Sequence, residues 1–311
     1  MSSKDNFQRL VQKAKELGIK IKEIFPEKKI VALEKGGKTK YLWGSSLPLN
    51  NVVGVRLAKY KNITKLILKK LGISTPPGVF CRSFSQAKEK IKKREINYPL
   101  VAKPNEAALG ERVFVGIENE KELETAVKII QEKYQDFILE EVVEGDDFRI
   151  LVLDGKVAAA CKRIPPVVIG DGISDLRSLI KKYNEKREKK VKADEEVKRN
   201  LRKQGVSLNS IIPRGEKIIL RRNANVFTGG MVEDVTEKIH PYFKNLAIKI
   251  VNELGLRIGG VDVITKDISS WPIDYWVTEV NGLPSFDIHE NPDKGRKRDI
   301  TREILKAIFK Q

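Results

Sequence analysis

Three oxygen-bearing residues near the C-terminus, Asp262, Glu279 and Asn281, have the types and spacing of a divalent-cation site. Asp262 lies inside the apolar stretch Gly260-Val261-Asp262-Val263-Ile264, and Glu279 and Asn281 stand two apart in Thr278-Glu279-Val280-Asn281. Side chains two apart on a strand project from one face. The second pair therefore points together, and Asp262 joins it if the two strands pair. Mg2+ is hard and octahedral and keeps part of its water, so three protein oxygens with water and phosphate oxygens would satisfy it. On spacing alone, each acid could instead end a strand at the surface or pair with one of many lysines. Against that stands the expense of burying a carboxylate among valine and isoleucine without a cation.

Three further groups offer phosphate and heterocycle chemistry. Lys103 ends the apolar stretch Tyr98-Pro99-Leu100-Val101-Ala102-Lys103, and residues 105–112 after it form a loop whose backbone N–H groups could face phosphates. Neither a G-x-x-x-x-G-K-[ST] loop nor a G-x-G-x-x-G after a strand is present, so P-loop and Rossmann readings are unsupported. In Leu139–Arg149 a short apolar link, Val142-Val143, could offer backbone groups to a flat ring, with Glu140, Glu141 and Asp147 near enough to accept hydrogen bonds. Arg149, Arg163 and Arg222 suit bidentate recognition of phosphate or carboxylate. The turn Thr228-Gly229-Gly230, after Asn223 and Asn225, can bring backbone donors close to a ligand. Two histidines are too few for a histidine-rich metal site: His240 precedes Pro241 at a helix start, whereas His289 follows the acidic pair and suits a pocket wall.

Alternating elements must position these residues. Leu10, Val11, Ala14 and Leu17 keep helical spacing, and strands at 29–33 and 39–43 flank Gly36-Gly37. A helix is expected over 62–71 with Gly72 ending it. Strands are expected at 98–103, 113–117 and 137–143, with an amphipathic helix at 120–134 capped by Asn119 and Glu122. Asp154-Gly155 between two apolar runs predicts a type I′ hairpin. The charged stretch 174–205 predicts two inserted helices. A helix at 241–254, strands at 258–264 and 275–280, and a last helix at 299–309 complete an α+β pattern, with helices on one face of mixed sheets. No fixed-period repeat is visible.

Length and composition bound the function class. The 311 residues are 41% hydrophobic and 33% charged, which excludes a disordered chain, and no apolar run reaches a membrane span. Cys81 and Cys161 have no metal-ligand spacing, and the N-terminal residues lack a signal-peptide core. A cytoplasmic protein is expected. Against 42 acidic residues stand 60 basic ones, a formal charge of +18. Residues 181–203 hold eleven Lys/Arg and five Asp/Glu, +6 of that total. With no aromatic-basic ribonucleoprotein pattern or zinc finger, a solvated lysine-rich surface explains this better than a nucleic-acid interface.

In this order, the four groups resemble an ATP-grasp carboxylate–amine ligase. The chain from about Lys59 onward is most similar to the ATP-grasp modules of cyanophycin synthetase and of bifunctional glutathione synthetases. The likeness rests on Tyr60-Lys61-Asn62-Ile63-Thr64-Lys65, Val101-Ala102-Lys103-Pro104, Glu140–Arg149, Arg163-Ile164-Pro165 leading to Gly170-Asp171-Gly172, Asn223–Gly230, and Glu279-Val280-Asn281 with His289. It implies an ATP-grasp fold, two α+β subdomains clasping ATP, behind a small N-terminal domain: residues 1–58, then 59–137 with a nucleotide lid, then 138–311 with a helical insertion at 174–205.

The resemblance also implies roles. Lys61 and Lys103 would contact ATP phosphates, Glu140, Glu141 and Val143 would form the adenine hinge, and Asp147 would hold ribose. Arg163, Arg149 and Asn225 would serve catalysis at the γ-phosphate and acceptor carboxylate. Arg222, Thr228, Gly229, Gly230 and His289 would bind substrate, and Asp262, Glu279 and Asn281 would hold Mg2+, with Mn2+ able to replace it. The activity implied is ATP-dependent amide formation between amino-acid or small-peptide substrates through an acyl phosphate. The rival is a basic ATP-grasp scaffold that binds nucleotide or nucleic acid without catalysis; membrane partners are not expected, and a homo-oligomer is compatible. One departure concerns position 112, where the family usually has a second lid glycine and this chain has Arg112, which restricts positive φ and would stiffen the lid.

Overall fold

Apolar residues at helical spacing make the first helix of this computed structural model, which describes residues 6–107, 110–185 and 187–310. Helix α1 (Asn6–Glu16) buries Leu10 and Ala14. The meander β1 (Lys20–Phe25), β2 (Ile30–Lys35) and β3 (Lys38–Trp43) follows. Gly36 and Gly37 adopt φ of 55° and 72°, which the tight turn between β2 and β3 requires. The side chain of Asn51 caps α2 (Val52–Lys59), accepting from the Gly54 N–H at 2.6 Å, and α3 (Lys61–Lys70) ends before Gly72.

Next come β4 (Gly78–Cys81), α4 (Phe84–Lys92), β5 (Leu100–Pro104), β6 (Phe114–Ile117), α5 (Glu120–Gln131) and β7 (Phe137–Glu141). The Asn119 side chain caps α5, accepting from the Glu122 N–H at 3.0 Å. The reciprocal bond of a capping box is displaced by one residue, with Glu122 accepting from the Glu118 N–H at 3.2 Å. Asp154 and Gly155, at φ of 47° and 71°, join β8 (Asp146–Leu153) to β9 (Lys156–Ile164). The insertion at 174–205 holds α6 (Leu176–Glu185) and α7 (Glu195–Lys203), flanked by β10 (Val167–Ile169) and β11 (Lys217–Ile219). The remainder is β12 (Met231–Asp234), α8 (Pro241–Glu253), β13 (Ile258–Thr265), β14 (Tyr275–Asn281), the one-turn α9 (Asp287–Glu290) and α10 (Ile300–Phe309).

The chain forms two compact units. One comprises residues 1–75, 145–162 and 232–311; the other comprises 76–144 and 163–231. In the first, a five-stranded sheet runs in the order β12-β9-β8-β13-β14. On one side Ile150 and Val152 of β8 pack with Phe243, Ala247 and Ile250 of α8; on the other, Leu151 and Leu153 pack with Leu10 of α1 and Ile304 and Ile308 of α10. This corrects the expectation of helices on one face. Strands β8 and β13 are buried at nearly every position, the mark of a sheet covered on both sides.

In the second unit, a four-stranded sheet in the order β4-β7-β5-β6 buries Leu100, Ala102 and Leu139 under Leu123, Ala126 and Ile130 of α5. A second core gathers Val168, Leu176, Leu179, Val197, Leu201 and Ile218 from β10, β11, α6 and α7. Lysines of 181–203 fit the solvated-surface expectation, Lys181, Lys182, Lys190, Lys192 and Lys198 being exposed, while α7 turns Glu196 and Asn200 inward at 4% and 3% exposure. Among the described residues, no helix is long and apolar enough to cross a membrane.

Candidate functional site

In the first unit, strand register assembles a row of charges. On β13, Asp262 lies directly opposite Arg149 of β8 on one side and Glu279 of β14 on the other. Cross-strand neighbours of this kind hold their Cβ atoms about 5 Å apart. Asn281, two residues beyond Glu279, lies opposite Gly260. Asp262 is 2% exposed and accepts two bonds from Arg149: Nη2 donates to Oδ2 at 2.9 Å, and Nε donates to Oδ1. Gly260 makes room for this side chain, since a Cβ there would meet Arg149 Cδ at 3.0 Å and Nη1 at 3.2 Å. From the start of α3, buried Lys61 places Nζ 3.4 Å from Glu279 Oε1.

This donor set fits a hard cation. Two carboxylates and an amide oxygen lie on neighbouring strands, whereas the buried Nδ2 of Asn281, which has no hydrogen-bond partner, is a donor and suits a ligand oxygen rather than the ion. Among the described residues, no three His, Cys, Asp or Glu side chains cluster to hold a metal, so a site here depends on the Asn281 amide and on ligand or water oxygens. Asp147 lies two residues before Arg149 on β8, hence on the same strand face. His289 is buried in α9, and its C=O accepts from the Arg298 N–H at 3.1 Å.

The second unit brings together Lys103 and Glu140. Both are buried, with Nζ 2.7 Å from Oε2. Strand β7 lies between β4 and β5, which puts Glu140 diagonal to Lys103 across the β5–β7 ladder. Glu141 Oε1 accepts from both the N–H and the side-chain amide of Asn97 at 3.0 Å. Beyond the strand, the N–H of Val142 donates to Pro99 O at 3.0 Å, and Val143 is half-buried. Both glutamate side chains are thus engaged, as is the N–H of Glu141, which donates to Pro77 O at 2.9 Å. Arg163 is buried at the end of β9.

Residues 223–230 make a tight, self-bonded turn. Asn225 accepts from the Phe227 N–H at 2.8 Å, and its carbonyl accepts from the Thr228 hydroxyl at 2.9 Å and the Gly230 N–H at 3.1 Å. Gly229 adopts φ of 99°, and a Cβ there would lie 2.3 Å from Val191 Cγ2. Arg222 lies against Gly116, where a Cβ would meet Nη1 at 2.7 Å.

Ala108 and Leu109 of the 105–112 loop lie outside the described residues; the residues after them are tied down. Glu111 accepts from Lys133 Nζ and the Tyr134 hydroxyl, each at 2.7 Å, and these bonds hold its carboxyl below the usual range. Arg112 takes φ of 53° without glycine's freedom, at a cost of about 1–2 kcal/mol, and pairs with Glu132 at 2.9 Å. The left-handed conformation is thus kept where the expected glycine is absent.

Sequence reasoning missed α7's polar stripe of Glu196, Arg199, Asn200 and Lys203. Its spacing of three, one and three was legible, but Glu196, Arg199 and Lys203 meet the edge of β6, and the Asn200 amide donates to Ile219 O of β11 at 2.5 Å. Burial works against the charge on Arg199, yet Glu196 and Glu122 outweigh it and raise its pKa.

Residues 58–198 match the RimK-like ATP-grasp domain. The chain is 32% identical over 291 residues to cyanophycin synthetase of Trichormus variabilis, covering 90% of this chain and 32% of that one. It is 32% identical over 306 residues to the glutathione biosynthesis bifunctional protein GshAB of Listeria innocua, covering 94% of this chain and 39% of that one. The chain therefore spans about a third of the length of the curated relatives it matches. Among solved structures, a bifunctional glutathione synthetase from Pasteurella multocida superposes with a TM-score of 0.66 at 24% identity, covering 98% of this chain and 44% of that one. The chain shares its fold with that structure over nearly its whole length, and the stretch 58–198 that matches the RimK-like ATP-grasp domain takes in Lys61, Lys103, Arg149 and Arg163.

Proposed function

We propose that the chain is an ATP- and Mg2+-dependent ligase joining a carboxylate to an amine, with amino acids or small peptides as substrates. A substrate carboxylate oxygen attacks the γ-phosphorus of ATP, giving an acyl phosphate and ADP. The amine then attacks the acyl carbon and phosphate leaves, so that an amide, ADP and inorganic phosphate are formed. Relatives named for cyanophycin and glutathione synthesis support this substrate class.

The observation that carries the reading is the row Arg149–Asp262–Glu279 with Asn281 beside it. Asp262, Glu279 and Asn281 are assigned to Mg2+, which when bound would draw charge from phosphate oxygens. Lys61 and Lys103 are assigned to the phosphates, the backbone around Glu140, Glu141 and Val143 to adenine, and Asp147 to ribose. Arg149, Arg163 and Asn225 are assigned to the reacting groups. Arg222, Thr228–Gly230 and His289 are assigned to substrate. Positioning and fixed positive charge supply the catalysis, as in other phosphoryl transfers. The division into 1–58, 59–137 with its lid, and 138–311, the cytoplasmic setting and a homo-oligomer belong to the same proposal.

The test is Mg2+-dependent ADP release across a panel of amino acids and dipeptides, with mass spectrometry of the product. Turnover that requires both a carboxylate and an amine supports the ligase. Nucleotide binding without turnover across the panel would favour a non-catalytic binding protein.

A further inference from the structure

An edge strand exposes a row of backbone groups that must find partners or be covered. Strand β6 is the edge of the sheet β4-β7-β5-β6, and side chains of α7 serve as its missing neighbour. Arg199 Nη1 donates to Gly116 O at 3.0 Å and Nη2 donates to Val115 O. Lys203 Nζ donates to Gly116 O at 2.6 Å, while Glu196 Oε1 accepts from the Val115 N–H at 3.5 Å. Both cations also reach Glu122 of α5 at 3.0 Å. The β5–β6 register shifts here, and Gly116 adopts φ of 74°, a combination that turns its carbonyl outward.

The same segment touches the turn at 222–230. A Cβ on Gly116 would strike the Arg222 guanidinium at 2.7 Å. Gly110, at φ of 71°, would with a Cβ meet Asn225 Cβ at 2.9 Å and Asn223 Nδ2 at 3.0 Å. The 110–117 segment is therefore gripped by α7 on its edge and backed by Arg222, Asn223 and Asn225.

We propose that α7 is a clasp, with Arg199 and Lys203 as positioning residues, that makes the segment 110–117, which runs from the end of the lid loop into β6, and the acceptor turn 222–230 one body, so that nucleotide binding at the first orders the second. Resting on the ligase reading, this coupling gives the charged insertion a part in that function. Two sites whose elements move together share a coupling free energy, ordinarily worth about five- to 150-fold in affinity.

Amide hydrogen exchange of the full chain tests the clasp, with Arg199→Ala and the milder Lys203→Met compared with wild type, and thermal unfolding checking that each folds. Without ligand, exchange should rise about tenfold in peptides covering both 114–117 and 222–230, because tenfold is what about 1.4 kcal/mol of lost local stability produces. With Mg2+ and a non-hydrolysable ATP analogue, wild type should protect both segments. The variants should protect 110–117 while losing protection at 222–230, a split that general destabilisation would not produce. Arg199→Lys, which keeps one donor to the β6 carbonyls, should fall between. A rise confined to 114–117, no change in either segment, or parallel nucleotide protection in the variants would overturn the clasp. A wild type indifferent to the nucleotide would sink the ligase reading separately, because the ligand-free comparison does not depend on it.

Discussion

Replacing Arg149 with leucine removes two bonds from a carboxylate that is 2% exposed. Taking one partner from a buried ion pair leaves a charge that the interior cannot solvate, and such losses cost about 3–5 kcal/mol. An independent figure agrees: two unit charges about 4 Å apart in a medium of effective dielectric about 20 attract by about 4 kcal/mol. Arg149→Leu should therefore destabilise the first unit by about 3–5 kcal/mol, and Asp262→Leu by a similar amount. Arg149→Leu/Asp262→Leu together should be much less damaging than the sum, because replacing both charges with apolar groups is often close to neutral. The assay is urea unfolding followed by tryptophan fluorescence. All three tryptophans, Trp43, Trp271 and Trp276, lie in the unit that holds the pair. A double variant as unstable as the two single losses added would refute the reasoning, since it would mean that the charges do not depend on each other.

Other outcomes follow from local geometry. Asp234 accepts from Arg298 at 2.9 and 3.2 Å; burial pushes its pKa up, but Arg298 and Thr236 outweigh this and bring it below its ordinary value of 3.8. The unfolded chain then holds the proton more tightly, so this pair's stabilisation, about 1.5–3 kcal/mol, is present above about pH 4 and fades as pH falls through the lower folded value. Asp234→Asn should lose that amount at neutral pH and show a flatter acid limb in a plot of stability against pH. Gly229→Ala forces a Cβ to 2.3 Å from Val191 at φ of 99° and should cost about 2 kcal/mol or more, read as a lower thermal midpoint. Arg112→Gly relieves about 1–2 kcal/mol of left-handed strain while loosening the unfolded chain and losing a surface ion pair with Glu132. Stability should change by less than about 1 kcal/mol, measured by urea titration.

Much of this was legible where periodicity is strong. The face Phe243, Leu246, Ala247, Ile250 and Val251 of α8 is buried as its spacing requires, and Asp154-Gly155 makes the turn its residue types demand. Strand β1 was invisible because its residues, KIKEIF, are nearly all exposed and so do not alternate. Helix α4 was equally hidden, since Ala87 is its one fully buried residue. The pairing of Asp262 with Glu279 could be anticipated as a conditional, but the partner of Arg149 could not. That depends on the β8–β13 register, which no residue near Arg149 encodes. The bonding of α7's polar stripe was missed for a related reason: a charged stripe looks solvated until the strand edge it satisfies is known.

The central claim is that Asp262, Glu279 and Asn281 serve a divalent ion held with a nucleotide. Calorimetric titration with ATP, with Mg2+ and again with the metal chelated, tests it most directly in wild type and Glu279→Ala. Wild type should bind ATP at least about tenfold more tightly with Mg2+, a difference of about 1.4 kcal/mol. In a folded Glu279→Ala protein that ratio should collapse toward one. An unchanged ratio in the variant would contradict the account.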